Sequence, residues 1–498
     1  MTAFQDGYLT EIAYPHHVHP ELSPGWLAAV LQALGLRAPR LDQRFRYCEL
    51  GCGQGLNIAL LAAANPAGQF LGVDFNACHI EHGRQLASSA QLNNLAYQQA
   101  SFAEAAAEDG EGFDFIVLHG VYSWVSADNR AAIRRFIDKR LKPGGVLYLA
   151  YMSHPGMSAF VSAQRFLWQI AQGLVGTPQQ RLRGALDTLG QWQAAGAGYF
   201  IEHPDVAKRL ARADEEDLAF LAHELLCEHW TPLHAAEVMA SLGEIGCQFL
   251  GSATPVENID ALSLPGSCQA LLAGLSDPQQ RETAKDMARN QSQRRDLYQR
   301  APRPLSADAH RQTLLDGCWS ALPAAPGSGA VSFDTRIGAV QGEERLFSPL
   351  LGALAEGPQR FIELARRREL AGQIGELSPA LQLLLGAGMA HPLLEGEIAV
   401  EHCQALNRVL AEGALQGAGY RHLLAPSLGA PIPASLEEMA AARALLEHPQ
   451  LRGELLCETA LALLRRTGHA AGEAQIAALR GVAENTLKHW LQLGVVSA

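Results

Sequence analysis

A glycine-rich turn between an apolar strand and a helix is the feature that most constrains the fold of this chain. Residues 44–64 read RFRYCELGCGQGLNIALLAAA, which predicts a strand, a tight turn and a helix in that order. A second predicted strand, GQFLGVDFN, contains Asp74, 19 residues after Gly55. Glycines let a backbone approach a ligand closely, and an acid at this distance can accept hydrogen bonds from both ribose hydroxyls. A βαβ unit that binds a nucleoside-containing ligand is therefore predicted.

The alternation of helices and strands continues through the first third of the chain. Helices are predicted over 77–91 and 127–141, and strands over 96–99 and 113–120, before a final strand that reads KPGGVLYLAY. Alternating helices and apolar strands are typical of a parallel sheet that is covered on both faces. We therefore expect an α/β fold with a doubly wound, Rossmann-like core.

Composition and charge argue against several classes of function. The net charge is −12 and no window holds a dense basic patch, so nucleic acid is not expected as a partner. No apolar run suits a membrane helix, and the start MTAFQDGYLT lacks the features of a signal peptide, so we expect a cytoplasmic protein without membrane contact. Nine cysteines without a C-x-x-C pair predict neither disulfides nor a zinc site. The clustered His16, His17 and His19 are interpreted as solvated, so no metal is expected.

The motif that begins at Glu49 resembles that of the class I S-adenosylmethionine-dependent methyltransferases, in which E/D-x-G-x-G-x-G is followed by a second strand that ends in an acid. The G-x-G-x-x-G fingerprint of dinucleotide sites is a weaker match. The resemblance implies S-adenosylmethionine as the cofactor, with Glu49 near its amino group and Asp74 at its ribose. The cofactor-binding residues implied are Glu49, Gly51, Cys52, Gly53, Gly55, Asn57, Asp74, Phe75, Ser101, Phe102 and His119.

Several longer segments resemble a narrower bacterial group, the methyltransferases with a methyltransferase regulatory domain. That group includes lysine methyltransferases of outer-membrane proteins. Met152 and Met157 stand where the group has Asn and Trp. The resembling segments span most of the chain and lie at 14–15, 114–125, 142–157, 223–253, 293–298 and 418–432.

On the acceptor side, the resemblance implies residues at the ends of the fourth and fifth strands, capped by an early tyrosine. Aromatic rings can hold an amine, and a hydroxyl or an imidazole can orient it or take its proton. For Tyr122 and Trp124, ordinary core packing is an equally weighted alternative. The residues implied in catalysis are Tyr122, His119, Tyr14 and Tyr151, and those implied in substrate binding are Ser123, Trp124 and His154.

Two largely helical parts are predicted after the core at 1–156. The first covers 157–325, and a Pro-, Gly- and Ala-rich linker leads to the second at 331–498, which ends in a segment that resembles the end of a winged helix. Within the first, 231–253 reads helix, glycine, strand, the order that usually completes a class I sheet. We expect this segment to return to the core sheet, with 157–225 as a helical insertion over the active site.

The sequence leaves three functions open, all of which include cofactor binding. The leading hypothesis is methyl transfer from S-adenosylmethionine to a protein side chain, most simply a lysine amine. The alternatives are a small-molecule O- or N-methyltransferase with a closed helical lid, and a cofactor-sensing protein without turnover. The expected partner is a protein substrate or a small molecule, and the oligomeric state stays open.

Overall fold

The N-terminal segment forms a small hairpin and then one helix. The computed structural model of the chain describes residues 4–5, 7–12, 14–212 and 217–497. Strands β1 (Phe4–Gln5) and β2 (Tyr8–Leu9) pair in antiparallel register. Helix α1 (Pro24–Ala33) follows, and its Trp26 donates a hydrogen bond from the indole nitrogen to the Ala253 carbonyl at 2.8 Å. This contact fixes α1 beside the central sheet.

Seven strands form the central sheet. They are β3 (Phe45–Leu50), β4 (Gly68–Asp74), β5 (Leu95–Gln99), β6 (Phe113–Leu118), β7 (Leu141–Met152), β8 (Cys247–Ser252) and β9 (Gln293–Arg300). Their order is β5-β4-β3-β6-β7-β9-β8. Neighbours from β5 to β7 are parallel, whereas β9 is antiparallel to both β7 and β8. The parallel part confirms the predicted doubly wound α/β fold.

Helices cover both faces of the parallel strands, which is why these strands are apolar almost throughout. In β6, for example, every residue except Asp114 is buried. Helix α2 is itself buried on all sides, because the sheet covers one side and the C-terminal part of the chain covers the other. The covering helices are α2 (Leu56–Ala64), α3 (Ala77–Ser89), α4 (Phe102–Ala107) and α5 (Ala127–Arg140).

A helical insertion follows β7. Leu167, Leu182 and Leu189 form part of its apolar interior. Its helices all lie within the range 157–225 that the sequence analysis predicts as an insertion. The insertion consists of α6 (Phe160–Gln172), α7 (Pro178–Ala194), α8 (Gly198–Glu202), α9 (Pro204–Ala211) and α10 (Leu218–Leu225).

The chain then returns to the central sheet. Helix α11 (Ala235–Gly243) leads into β8 at the edge of the sheet, so the segment 231–253 contributes a strand. The sequence analysis did not identify the strand β9, which lies between β7 and β8. Three helices connect the last two strands, namely α12 (Asp260–Ser263), α13 (Gly266–Leu272) and α14 (Pro278–Arg289).

Strand β9 is hard to recognise because its polar side chains are buried instead of solvated. Arg294 is 4% exposed and contacts three carboxylates, which belong to Glu282, Asp286 and Asp296. The nitrogen–oxygen distances are 2.8, 2.5 and 2.9 Å. Because Glu282 and Asp286 lie on α14, these ion pairs attach that helix to the sheet. We call this group the Arg294 cluster.

The C-terminal part is less completely helical than predicted. Two antiparallel hairpins follow the linker, formed by β11 (Ser332–Thr335) with β12 (Gly338–Gln341) and by β15 (His422–Ala425) with β16 (Ala430–Pro433). In a small third sheet, β10 (Cys318–Ala321) lies between β13 (Gln359–Arg360) and β14 (Ala390–Pro392). Strand β10 precedes the linker but pairs with strands that follow it. The remaining elements are α15 (Ala307–Asp316), α16 (Glu344–Glu356), α17 (Phe361–Arg366), α18 (Ile374–Gly386), α19 (Val400–Leu415), α20 (Leu436–Glu447), α21 (Gly453–Arg466), α22 (Glu473–Gly481) and α23 (Leu487–Leu493).

The C-terminal part packs directly on the core. Helix α19 contacts α2, and the Asn65 side chain donates a hydrogen bond to the Gly429 carbonyl at 2.8 Å. The Tyr420 hydroxyl lies 3.1 Å from His82 Nε2, and His82 Nδ1 lies 2.7 Å from the Gln54 carbonyl in the glycine turn. Among the described helices, none combines the length and the apolar character that a membrane crossing needs.

We predict that Arg294→Met strongly destabilises the fold. The substitution removes the cation that contacts Asp286 and Asp296 and leaves Glu282 with Lys285 alone, and removing one partner of a buried ion pair costs about 3–5 kcal/mol. Urea unfolding of the full chain measures the change. Lys208→Ala is the control, because its ion pair with Asp205 is exposed (73% and 86%), so that unfolding free energy should change by less than about 1 kcal/mol. Equal effects of the two substitutions would contradict the role of the Arg294 cluster.

Candidate active site

A cavity opens at the carboxyl ends of β3, β4 and β6. Its space is about 1220 Å³ with the open mouth included. The position is the switch point of the sheet, because the chain extends the sheet from β3 to one side through β4 and later to the other side through β6. Open α/β sheets bind their ligands at this point. We call this space the cofactor cavity.

The glycine turn forms the floor of the cofactor cavity. Gly51, Gly53 and Gly55 have φ angles of 73°, 54° and 75°, a region that favours glycine. A Cβ atom on Gly51 would lie 2.5 Å from Val121 Cγ2, and one on Gly55 would lie 2.5 Å from the Tyr97 ring. No side chain caps α2, which begins directly after Gly55. The turn therefore presents bare backbone to a ligand.

Two buried acids face the cofactor cavity from the ends of β3 and β4. Glu49 is 6% exposed, and burial raises its pKa to about 8 although a hydrogen bond from Asn57 opposes the shift. Asp74 is 8% exposed and accepts hydrogen bonds from the backbone N–H groups of Gly53 at 3.0 Å and Asn76 at 2.9 Å. These bonds fix the orientation of the Asp74 carboxylate.

A stretch at 14–19 covers the cofactor cavity, and we call it the strap. The Tyr14 N–H donates to His79 Nε2 at 3.5 Å, and the Gln54 side chain donates to the Tyr14 carbonyl. The His19 N–H donates to Asn57 Oδ1 at 3.3 Å. Residues of the strap thereby close the cavity over the glycine turn.

The interpretation of the strap histidines as solvated is wrong for two of the three. The His16 ring lies 5.0 Å from His82 and 4.7 Å from Tyr420, measured between ring centroids. The His19 ring stacks on His119 with centroids 3.5 Å apart. Burial lowers the pKa of His16 and His19 to about 4, so both are neutral at neutral pH. His17 is exposed, as expected.

The structure brings most of the sequence-predicted residues to the cofactor cavity. Among the catalytic and substrate candidates, Tyr14, His119 and Trp124 line it. The cofactor candidates that line it are Glu49, Gly51, Cys52, Gly53, Gly55, Asn57, Asp74, Phe75, Ser101, Phe102 and His119.

Tyr151 and Tyr122 are not among the residues that line the cavity. The Tyr151 side chain is fully buried within the sheet, and its hydroxyl donates to Asp296 Oδ2 at 2.7 Å. Tyr122 is 2% exposed and belongs to the apolar cluster under α5, with its hydroxyl 3.4 Å from Arg134. Both side chains lie in the packed interior of the core.

Ser123 and His154 also have structural surroundings. The Ser123 hydroxyl oxygen accepts a hydrogen bond from the Met152 N–H at 2.9 Å, which links the ends of β6 and β7. His154 Nδ1 lies 2.7 Å from the Ser158 hydroxyl, and its ring stacks on His234. Neither side chain lines the cofactor cavity or the cavity described next.

A second cavity adjoins the first and shares part of its wall. Its space is about 1160 Å³ with the mouth included, and we call it the acceptor cavity. The residues that line both cavities are Tyr14, His17, His19, His119, Gly120 and Trp124. The residues that line only the acceptor cavity are Met152, Met157, Phe160, Arg209, Leu210, Phe220, Leu221, Glu224, Leu225, Ser292, Gln293 and Arg295.

Sequence reasoning missed the side chains that the insertion contributes to the acceptor cavity. Phe160, Phe220 and Glu224 come from α6 and α10 and belong to no short motif. The only signal was the expectation that 157–225 lies over the active site. Arg295 was also missed, because the sequence analysis did not identify the strand β9.

Family models match two parts of the chain. The model described as "Methyltransferase domain" matches residues 48–147, which hold the glycine turn and the strands from β3 to β7. The model described as "Predicted methyltransferase regulatory domain" matches residues 217–300, which run from α10 to the end of β9.

Relatives and solved structures agree with these matches. An uncharacterised protein of Synechocystis sp. is 31% identical over 490 residues, which cover 97% of both chains. The trans-aconitate 2-methyltransferase of Methylobacterium radiotolerans is 31% identical over 185 residues, 37% of this chain and 56% of that enzyme. The structure of PKMT2 from Rickettsia typhi in complex with AdoHcy shares the fold, with a TM-score of 0.72, 18% identity, and coverage of 97% of this chain and 99% of that one.

The cofactor cavity has the chemistry that S-adenosylmethionine requires. Gly51 and Gly55 leave no room for a Cβ atom, and two buried acids, Glu49 and Asp74, face the cavity from the ends of β3 and β4. Burial raises the pKa of the Glu49 carboxyl, and a cationic ligand beside it would favour the ionised carboxylate. Sequence, fold and cavity together give one result. The chain belongs to the class I S-adenosylmethionine-dependent methyltransferases that carry a methyltransferase regulatory domain.

Proposed function

We propose that this methyltransferase transfers a methyl group to a protein lysine amine. The observation that supports the proposal is the acceptor cavity, which joins the cofactor cavity at His119 and Trp124 and combines apolar walls with the carboxylate of Glu224. A lysine side chain is an apolar stem with a cationic end, so these two features match its two parts.

The cofactor residues have separate tasks in this proposal. Asp74 binds the ribose hydroxyls, Glu49 binds the amino group, and Ser101 with Phe102 flanks the adenine. S-Adenosylmethionine supplies a sulfonium methyl group that is already electrophilic. The chain therefore has to hold the acceptor nitrogen in line with this group and exclude water.

The apolar walls of the acceptor cavity accept the lysine stem. Phe160, Phe220 and Leu221 lie along it, and Glu224 attracts the ammonium group as it enters. The apolar surroundings then favour the neutral amine, which is the nucleophile. Burial and the nearby Glu224 carboxylate raise the pKa of Tyr14 well above its usual value, so its hydroxyl stays protonated and orients the amine by hydrogen bonding.

A small carboxylic acid is the second candidate acceptor. Arg209 and Arg295 line the same cavity, and guanidinium groups bind carboxylates well. The relative from Methylobacterium radiotolerans is named a trans-aconitate 2-methyltransferase. Against this candidate, Arg295 already contacts Glu21 at 3.0 Å.

The experiment that separates the two is label transfer from methyl-labelled S-adenosylmethionine into a lysate of the source cells. We expect the label to appear in protein, and mass spectrometry should locate it on lysine residues. The Asp74→Ala variant should transfer no label. Label only in the small-molecule fraction would favour the carboxylic acid. Absence of label in both fractions, together with measured cofactor binding, would contradict both candidates and favour a sensor.

We predict that Glu224→Gln raises the KM for the lysine acceptor about tenfold or more. A hydrogen bond to a charged group contributes about 1.5–3 kcal/mol, and the substitution removes the charge with little change of shape. Steady-state kinetics measures the KM. Glu228→Gln, an exposed residue of the same segment, is the matched control and should leave the KM unchanged. An unchanged KM in Glu224→Gln would exclude Glu224 from ammonium recognition.

We predict that Asp74→Asn weakens S-adenosylmethionine binding about tenfold or more. The carboxylate accepts hydrogen bonds from two ribose hydroxyls in the proposed mode, and the amide offers only one accepting oxygen. Calorimetric titration of the full chain measures the Kd. The matched control is Asp128→Asn on the exposed start of α5. Equal Kd values for the two variants would remove Asp74 from the ribose site.

We predict that the affinity for S-adenosylmethionine falls as the pH falls below about 8. The raised pKa of Glu49 means that the free chain holds this carboxyl protonated at lower pH, and the amino group of the cofactor is attracted only by the ionised form. The Kd should rise by close to tenfold for each pH unit below about 8. Glu49→Gln should bind more weakly at pH 8 and lose the slope. A pH-independent Kd for the unaltered chain would contradict the prediction.

A further inference from the structure

A chain of buried polar groups leads away from the wall that the two cavities share. His119 Nδ1 lies 2.8 Å from the Tyr148 hydroxyl, and that hydroxyl donates a hydrogen bond to Glu21 Oε1 at 3.4 Å. Arg295 Nε lies 3.0 Å from the same Glu21 oxygen. Tyr148 is fully buried, and the Glu21 side chain is 12% exposed. The chain thus begins at the acceptor and ends at a group with a small opening to solvent.

The hydrogen bonds determine which ring nitrogen of His119 carries the proton. Because the Tyr148 hydroxyl donates to Glu21, its oxygen accepts the proton on His119 Nδ1. The lone pair then lies on His119 Nε2, for which no hydrogen-bond partner is found among the described residues. His119 lines both cavities, so this nitrogen is a base at the place where acceptor and cofactor meet.

We propose that His119 takes the proton of the acceptor amine and that Tyr148 and Glu21 carry it away, and this inference rests on the proposed lysine acceptor. The ammonium loses a proton to His119 Nε2, which leaves the neutral amine. The Nδ1 proton moves to the Tyr148 oxygen, and the Tyr148 hydroxyl proton moves to the Glu21 carboxylate. One proton thus passes from the amine to Glu21 and then to solvent. His119, Tyr148 and Glu21 each receive one proton and give one up, so the relay ends with the number of protons with which it began.

The surroundings keep His119 neutral before the acceptor arrives. Burial lowers its pKa well below the usual value, and His19, Arg295 and His17 lower it further. His19 stacks on it at 3.5 Å and is also neutral. The Glu21 carboxylate, which lies 3.8 Å from His119 Nδ1, is itself 3.0 Å from the Arg295 guanidinium. His119 is therefore in its neutral form, which can accept a proton, throughout the neutral range.

The same residues could be considered as a metal site. One ligand atom each from His19, Glu21 and His119 lies within 4.8 Å of the others. However, the Arg295 guanidinium already contacts the only carboxylate of the three at 3.0 Å, and a positive charge there repels a divalent cation. These contacts favour a proton over a metal ion.

Tyr148→Phe tests the relay, with Tyr47→Phe as its matched control. Tyr47 is an equally buried tyrosine on β3 whose hydroxyl donates to the Leu22 carbonyl at 2.8 Å, so both variants lose one buried hydroxyl. At pH 7 we expect Tyr148→Phe to lower kcat for a lysine-containing protein substrate at least tenfold, with little change in KM or in the Kd of S-adenosylmethionine. Tyr47→Phe should stay within about twofold of the unaltered chain.

The pH profile separates a relay from a structural effect. Without the relay, the rate depends on the fraction of amine that arrives neutral, so kcat/KM of Tyr148→Phe should rise about tenfold per pH unit from 7 toward 9. The unaltered chain should show a flatter profile over this range. In His119→Ala, added imidazole should restore part of the lost rate by replacing the missing base.

Three outcomes would overturn the inference. If the unaltered chain labels no protein amine, the proposed function fails and the relay fails with it. If it labels amines but Tyr148→Phe and Tyr47→Phe have equal kcat and equal pH profiles, only the relay fails. If EDTA abolishes the activity and Zn²⁺ restores it, His19, Glu21 and His119 bind a metal instead.

Discussion

The strand β9 carries a positive charge on each side of the sheet, buried at Arg294 and partly exposed at Arg295, and much of the molecule depends on this arrangement. Consecutive residues of a strand point to opposite faces, so Arg294 and Arg295 serve different places. Arg294 attaches α14 to the sheet through Glu282 and Asp286. Arg295 points to the acceptor cavity, where it contacts Glu21. The strand that attaches α14 to the sheet therefore also places a positive charge beside the acceptor cavity.

The C-terminal part supports the cofactor side in a comparable way. Helix α2 begins at the glycine turn and is covered by α19, so the first turn of the ligand site is fixed from behind by a remote segment. Tyr420 contacts His82, which in turn contacts the Gln54 carbonyl in the turn itself. The domain boundaries predicted from the sequence thus separate parts that share one core. Two contacts thus connect Tyr420 in the C-terminal part with the glycine turn.

The sequence was sufficient for features whose signal is local. The parallel core, and the position of Glu49, Asp74 and the glycines at one cavity, follow from local strand, turn and acid patterns. Strand β9 was missed because QRRDLYQR has the composition of an exposed segment, and only the carboxylates of α14 and β9 make its burial favourable. The wall of the acceptor cavity that the insertion supplies was missed because Phe220 and Glu224 reach it from a distant helix, whereas Tyr14, His119 and Trp124 were expected on the acceptor side. The direction of Tyr151 was misjudged, since its partner Asp296 lies on the unrecognised strand.

The strap makes the two cavities interdependent. It covers the cofactor cavity with Tyr14 and His19, and the same two residues form part of the acceptor cavity. The strap is tied to the cofactor side by hydrogen bonds to His79, Gln54 and Asn57, each of which contributes about 0.5–1.5 kcal/mol. Because Tyr14 and His19 line both cavities, the position of the strap determines the shape of the cofactor cavity and of the acceptor cavity together.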